Sequence, residues 1–241
     1  MDRQILIVND DGIAADGIRR LAEAALHFGQ VYVVAPVQQC SRMSQKISIF
    51  DRIPVTPYAF PVPVAGAWSV GGTPADCVKV AVNFLLSRKP DVVLSGINDG
   101  FNAGFDTAYS GTIVAAMEAL MKGIPAIAFS NHLHGNTETV DCFLPQLLGE
   151  LLSSPLPPSE LWNVNFPGVP LSDCRGILRH RRVAPVQLYR DIYSREEGPD
   201  GSFSLKNASR PIPLEEVPAG TDVHAVLSGY ISIGTLHCPV L

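Results

Sequence analysis

The strongest constraint on this chain is a recurring pattern: short unbroken apolar runs separated by segments of helical periodicity. Residues 5–8 (Ile-Leu-Ile-Val) present no polar face, as a strand buried on both sides requires. Residues 17–28 then space apolar positions helically, at Ile18, Leu21, Ala22, Ala25 and Leu26, with Gly29 as a C-cap. Residues 31–35 form a second buried strand, ended by Pro36. This strand–helix–strand unit predicts parallel pairing with a right-handed crossover. The alternation continues with strands at 91–94, 126–130 and 162–165 and helices at 112–121 and 140–152. In "GTPADCV", Thr73 is placed as an N-cap, Pro74 at the first helical position and Asp76 at the capping-box position. The pattern predicts an α/β fold, a doubly wound and mostly parallel sheet. Residues 37–66 interrupt it as a polar, then proline-rich insertion ending in a hairpin.

After Pro167 the alternation stops. Residues 177–184 and 187–193 are expected to form a hairpin, 194–211 (SREEGPDGSFSLKNASRP) an exposed loop, and "TDVHAVLSGYISI" a helix start followed by a strand. The expected organisation is a catalytic core over 1–167 and a C-terminal β-rich extension over 168–241 that serves oligomerisation.

Composition excludes several classes. Net charge is −5, and "RHRR" at 179–182 is the one basic cluster, so duplex nucleic acid is not the expected partner. No apolar run approaches the roughly 20 residues that span a bilayer. A strand stands where a signal peptide would need a basic region and a longer apolar one, so a cytoplasmic protein is expected. The five cysteines are scattered without a CxxC pair, which indicates neither a zinc knuckle nor a disulfide framework.

Three segments carry chemistry. The first strand ends on Asn9-Asp10-Asp11-Gly12, at the edge where open α/β sheets bind ligands. Adjacent carboxylates repel; a divalent cation relieves that repulsion and takes their oxygens as ligands. The plain alternative is a turn. In "APVQQCSRMSQK", Ser41 or Ser44 could reach the same edge. The third segment, "LSGINDGFNAGFDTAYSGT", places Asn98 just past a strand and Ser110-Gly111-Thr112 just before an apolar helix. The amide oxygen of Asn98 suits a hard cation. A helix N-terminus with two hydroxyls and a glycine is a ready anion site. The pair His132 and His134 lacks a third nitrogen or sulfur ligand nearby and is expected to be solvated or packed.

"ILIVNDDG", "APVQQCS", "GTPADCV", "SGINDGFNAG", "YSGT" and "NVNFPG", in this order from residue 5 to 168, resemble the SurE family of metal-dependent nucleotide phosphatases. The resemblance implies a Rossmann-like core, one divalent metal ion (magnesium or manganese) and hydrolysis of nucleoside monophosphates to nucleoside and phosphate. By matching motif it implies metal ligands at Asp10, Asp11, Ser41 and Asn98, with Asp10 or Asp11 also catalytic, and phosphate contacts at Asn102, Ser110, Gly111 and Thr112. It implies a homodimer or homotetramer with exchanged C-terminal elements. Hydrolysis of 3′-nucleotides and of polyphosphate stands open beside the 5′ activity. The chain departs from the family after Ser41, where Arg42-Met43-Ser44-Gln45-Lys46 replaces small residues, glycine and histidine. Two rival readings are a receiver-like signalling module, whose phosphoacceptor aspartate would fall near Gly96, and a phosphate-binding protein without catalysis.

Overall fold

The computed structural model describes residues 3–40, 43–44 and 46–241. The strands are β1 (Gln4–Val8), β2 (Gln30–Pro36), β3 (Val55–Pro57), β4 (Gly66–Val70), β5 (Val92–Asp99), β6 (Ala126–Asn131), β7 (Glu160–Asn165), β8 (Ile177–Leu178), β9 (Tyr189–Arg190), β10 (Tyr193–Glu197), β11 (Phe203–Asn207), β12 (Arg210–Pro211) and β13 (Ile231–His237). The helices are α1 (Asp16–Ala25), α2 (Pro74–Val80), α3 (Gly111–Met121), α4 (Glu138–Leu152) and α5 (Asp222–Leu227). Among the described residues the main sheet runs β3-β4-β2-β1-β5-β6-β7-β13-β8. Its centre, from β4 to β7, is parallel throughout.

The apolar runs of the sequence become this centre. All five residues of β1 are buried. Ile5 and Ile7 pack with α1 and α4 on one face, while Leu6 and Val8 pack with α2 and α3 on the other. An unbroken apolar strand therefore serves two cores at once. The Thr73 cap forms as predicted: its side chain accepts the Asp76 N–H, and Asp76 accepts the Thr73 N–H at 2.9 Å. Asp76 also accepts the N–H and hydroxyl of Ser48, tying the insertion to α2. The insertion ends in the antiparallel pair β3–β4, and β4 joins β2 in parallel.

The segment after Pro167 differs from expectation in two places. The hairpin predicted over 177–184 and 187–193 does not form: β8 pairs with β13, and β9 with β12. The predicted loop 194–211 contains a hairpin instead, β10–β11, closed by Gly198-Pro199-Asp200-Gly201 with a Gly198 N–H to Ser202 O bond of 2.7 Å. Both faces of this hairpin are exposed; the alternation in β11 is limited to Phe203 and Leu205 against Ser204 and Lys206, and its partner β10 is polar after Tyr193, so the pair reads as a polar loop. The expected final helix and strand are α5 and β13, and β13 lies antiparallel against β7 within the main sheet. Among the described residues, no helix is long and apolar enough to cross a membrane.

Candidate metal and phosphate site

Three segments converge at the carboxyl end of β1. Asn9 is fully buried and donates its side-chain amide to Gly12 O at 2.9 Å, which turns the chain sharply after the acid pair. Gly12 sits at φ 99°, a conformation that favours glycine. Asp10 is 2% exposed and faces α3, where the Thr112 hydroxyl donates to its Oδ1. A Cβ at Gly111 would stand 2.7 Å from the Asp10 Cβ, so only glycine lets the helix start this close. Asp11 faces the other way. It accepts the Asp99 N–H at 2.9 Å, with Gln39 Nε2 at 3.4 Å.

The second and third segments complete the edge. The Cys40 N–H donates to Asp10 O at 2.7 Å and brings the post-β2 loop against the acid pair. Ser41 itself lies outside the described residues. Asn98, near the end of β5, donates Nδ2 to Gly100 O at 2.8 Å, which leaves its Oδ1 as the atom available to a cation. Gly96 has φ 134° and abuts the Phe129 carbonyl so closely that no side chain fits. The phosphoacceptor aspartate of a receiver module has no room there.

Electrostatics mark the acids as uncompensated. Burial first, and the Asp11 charge second, push Asp10 up to about 6, against hydrogen bonds from Thr112 that lower it. Burial also raises Asp11; the Asp99 N–H pulls it back and the Asp99 carboxylate pushes it up again. Such a pair gains from a nearby cation. Among the described residues, no group of three His, Cys, Asp or Glu could hold a metal. A metal here would therefore need the two carboxylates and neutral oxygens such as Asn98 Oδ1, a hard donor set suited to magnesium or manganese.

The expected phosphate group divides. Ser110 caps α3, accepting the Ile113 N–H at 3.1 Å, and Gly111 and Thr112 open the helix beside Asp10. Asn102 is turned away into the sheet. Its Nδ2 donates to Ser130 Oγ at 2.7 Å, its N–H to Asn165 Oδ1 at 2.8 Å, and its carbonyl accepts from Asn163 and Asn165. Thr112 links the two groups, because the hydroxyl assigned to phosphate already meets a carboxylate assigned to metal.

Two supporting acids escaped the sequence reading. Asp99 directly follows Asn98, and its adjacency to a candidate ligand was the available signal. Asp222, near the end of the chain, accepts the N–H groups of Gly104 at 3.1 Å and Ala184 at 2.8 Å. It thereby ties the loop ahead of Ser110 to the C-terminal segment, a contact that sequence spacing does not show. His132 packs edge-on against Phe101, and His134 is exposed beside Asp99.

A cavity of about 450 Å³ opens beside Asp11 and Asn98. A larger one, about 710 Å³, lies at the opposite edge of the sheet near Arg3, Pro125 and Trp162 and contains none of the site residues.

The family model "Survival protein SurE" matches residues 5–186. The chain is 39% identical to a "5'-nucleotidase SurE" of Thermosynechococcus vestitus, over 97% of this chain and 90% of that protein. It is also 39% identical to a protein of the same description from Pelotomaculum thermopropionicum, over 97% of this chain and 89% of that protein. The crystal structure of SurE protein from Aquifex aeolicus superimposes with a TM-score of 0.85 at 33% identity, covering 99% of this chain and 94% of that one.

Proposed function

Because the chain belongs to the SurE family, we propose that it is a 5′-nucleotidase that hydrolyses nucleoside monophosphates to nucleoside and phosphate with one divalent metal ion. The observation that carries this reading is the Thr112 hydroxyl on Asp10, which sets the N-terminus of α3 directly against the acid pair. Asp10, Asp11 and Asn98, with Ser41 from the adjoining loop, hold the cation. When bound, a divalent ion polarises a phosphoryl oxygen and lowers the pKa of a coordinated water.

The chain's own residues do the rest. The first turn of a helix leaves backbone N–H groups without intrahelical partners, and at α3 these face the phosphate oxygens. Gly111 permits the close approach and Ser110 adds a hydroxyl, while Thr112, whose hydroxyl proton goes to Asp10, adds its place at the helix start. Asn102 acts from behind by pinning the loop to β6 and β7. A water attacks phosphorus, and Asp10 or Asp11 orients it and takes its proton; the P–O ester bond breaks, and the departing oxygen takes up a proton to leave as the nucleoside hydroxyl. Prepositioned donors of this kind stabilise charge that grows in the transition state.

The same reading includes assembly. Tyr193, Phe203 and Leu205 on the β10–β11 hairpin are each more than half exposed, which supports a dimer or tetramer that exchanges this arm. The test is phosphate release from a panel of 5′- and 3′-nucleotides, polyphosphate and a simple aryl phosphate, with chelator and with magnesium or manganese restored. Release from 5′-monophosphates that EDTA abolishes and metal restores is expected. Full activity in metal-free protein would overturn the reading.

A further inference from the structure

A strand buried on both faces favours unbroken apolar residues. β7 breaks that rule: its buried second half carries Asn163 and Asn165, 4% and 0% exposed. Strand alternation puts both on the face of Leu161, which belongs to the core under α2 and α3, and Val164 on the other face. The two amides cost stability. Asn163 donates Nδ2 to Asn102 O at 2.8 Å, but its Oδ1 is buried with no partner among the described residues. An unpaired buried acceptor destabilises a fold, and a leucine of similar size would not carry that cost. What Asn163 supplies in return is its hold on Asn102.

Asn165 holds the same residue at both ends. Its Oδ1 accepts the Asn102 N–H at 2.8 Å, and its Nδ2 donates to the Asn102 carbonyl at 3.1 Å. The loop is thus paired to β7 through side chains, as a strand would be paired through its backbone. Asn102 lies between Asn98, the candidate cation ligand, and Ser110, the cap of α3. In the sheet register Asn98 pairs with Ser130, and Ser130 with Asn165, so one row crosses from the cation end of β5 to the clamp on β7. Ser130 joins the clamp by accepting the Asn102 side chain at 2.7 Å.

We propose that Asn163 and Asn165 are positioning residues for phosphate-ester hydrolysis, which set the loop so that the cation at Asn98 and the phosphate at the start of α3 meet in one geometry. The inference rests on the nucleotidase reading and adds these two residues to it. Neither touches substrate. With the clamp broken, the acid pair still holds metal and the α3 amides still hold phosphate, but the bound groups lose their alignment. The loss falls on kcat and leaves KM in place.

The experiment measures kcat and KM for AMP with manganese, manganese affinity by calorimetry, and melting temperature, in wild type, Asn163→Leu, Asn165→Leu and Ser232→Ala. Ser232 is the control: it is the β13 register partner of Asn165, and its hydroxyl is buried with no partner among the described residues. Asn163→Leu should lower kcat about tenfold and Asn165→Leu about a hundred-fold, with KM and manganese affinity within about threefold of wild type. Asn163→Leu should melt at or above the wild-type temperature, because it removes an unpaired acceptor while Asn102 O keeps its bond from Asn165. Ser232→Ala should keep kcat within about twofold of wild type. A merely structural residue would not separate kcat from stability in this way. Asn163→Leu with a wild-type kcat, or with kcat and melting temperature lowered together, would overturn the proposal. So would a loss in Ser232→Ala as large as in Asn163→Leu. If Asn165→Leu does not fold, Asn163→Leu decides alone. A wild type that releases no phosphate from any nucleoside monophosphate would overturn the nucleotidase reading before any variant is compared, and the proposal with it.

Discussion

The loop of residues 100–110 and the arm of residues 193–211 both leave the main sheet, and both are rich in polar residues and glycine. They are held in opposite ways. The loop is bound from several sides: Asn102 to Ser130 and Asn165, Gly104 to Asp222, Phe105 to Val186 O at 2.9 Å, and Asp106 to the Leu188 N–H at 2.8 Å. Most of these partners are buried. The arm is held by its own β10–β11 ladder and by the short β9–β12 pair, and every residue of those four strands is exposed. A long loop inside a compact fold is either positioned for function or free for a partner. Here one chain shows both cases: the first loop presents Ser110 to the acid pair, and the second presents apolar side chains outward.

Gly111→Val puts the sharpest strain on the positioned loop. A Cβ at this position meets the Asp10 Cβ and lies 3.0 Å from its Oδ2. The substitution should therefore reduce nucleotide hydrolysis by more than about a thousand-fold and weaken manganese affinity as well, since Asp10 must move. Kinetics paired with calorimetry check both; retained metal affinity would show that the phosphate cradle and the metal site are separable after all.

Asp222→Ala should rank next. It removes the acceptor of three backbone N–H groups, those of Gly104, Ala184 and Val223, in a buried setting. Leaving buried donors without partners costs about 1–3 kcal/mol each, so the melting temperature should fall by several degrees and kcat/KM by about a hundred-fold. Normal activity with lowered stability would show that the site loop keeps its position without this tether.

The third prediction concerns the cost of the acid pair. Folding raises Asp10 from the ordinary 3.8 to about 6. The folded state of the metal-free protein therefore holds the proton more tightly than the unfolded state, and stability falls as pH rises from about 4 to 6. Above pH 6 the loss persists at up to about 3 kcal/mol. Asp10→Asn keeps an acceptor for Thr112 and removes the charge. It should raise the melting temperature of metal-free protein at pH 8 and leave it little changed near pH 4. Equal melting temperatures at pH 8 would mean that the pair is not strained by burial.

The smallest effect per protomer is expected from the arm. Replacing residues 194–209 with a short glycine turn should change unfolding free energy at low protein concentration by less than about 1 kcal/mol, because the hairpin buries little against its own chain. Light scattering should nonetheless show a smaller particle. An unchanged particle mass would remove the arm from assembly.

The same contrast explains how much was legible in the sequence. The central strands were readable because burial on both faces leaves unbroken runs such as Ile5 to Val8, and the Thr73 cap because its chemistry is local. Asp10, Asp11, Asn98 and Ser110–Thr112 were readable as candidates because each sits at a strand or helix end. The arm hairpin was not, since the alternation of Phe203 to Lys206 is short and the partner strand β10 is polar after Tyr193. Nor were the partners of the site: Asp10 meets Thr112 across 102 positions, and Gly104 meets Asp222 across 118. Sequence spacing carries no trace of such contacts, and contacts of this kind turn Asn102 inward and join the Thr112 hydroxyl proposed for phosphate to the Asp10 carboxylate proposed for metal.

The central claim is that the acid pair at the end of β1 is a metal site rather than a turn. Calorimetric titration of manganese into chelator-treated wild type and into folded Asp11→Asn tests it most directly. The account predicts one ion per wild-type chain and at least a hundred-fold weaker binding in the variant, since a charged ligand of a hard cation is lost. Equal affinity in the two proteins, or no binding to the wild type, would contradict it.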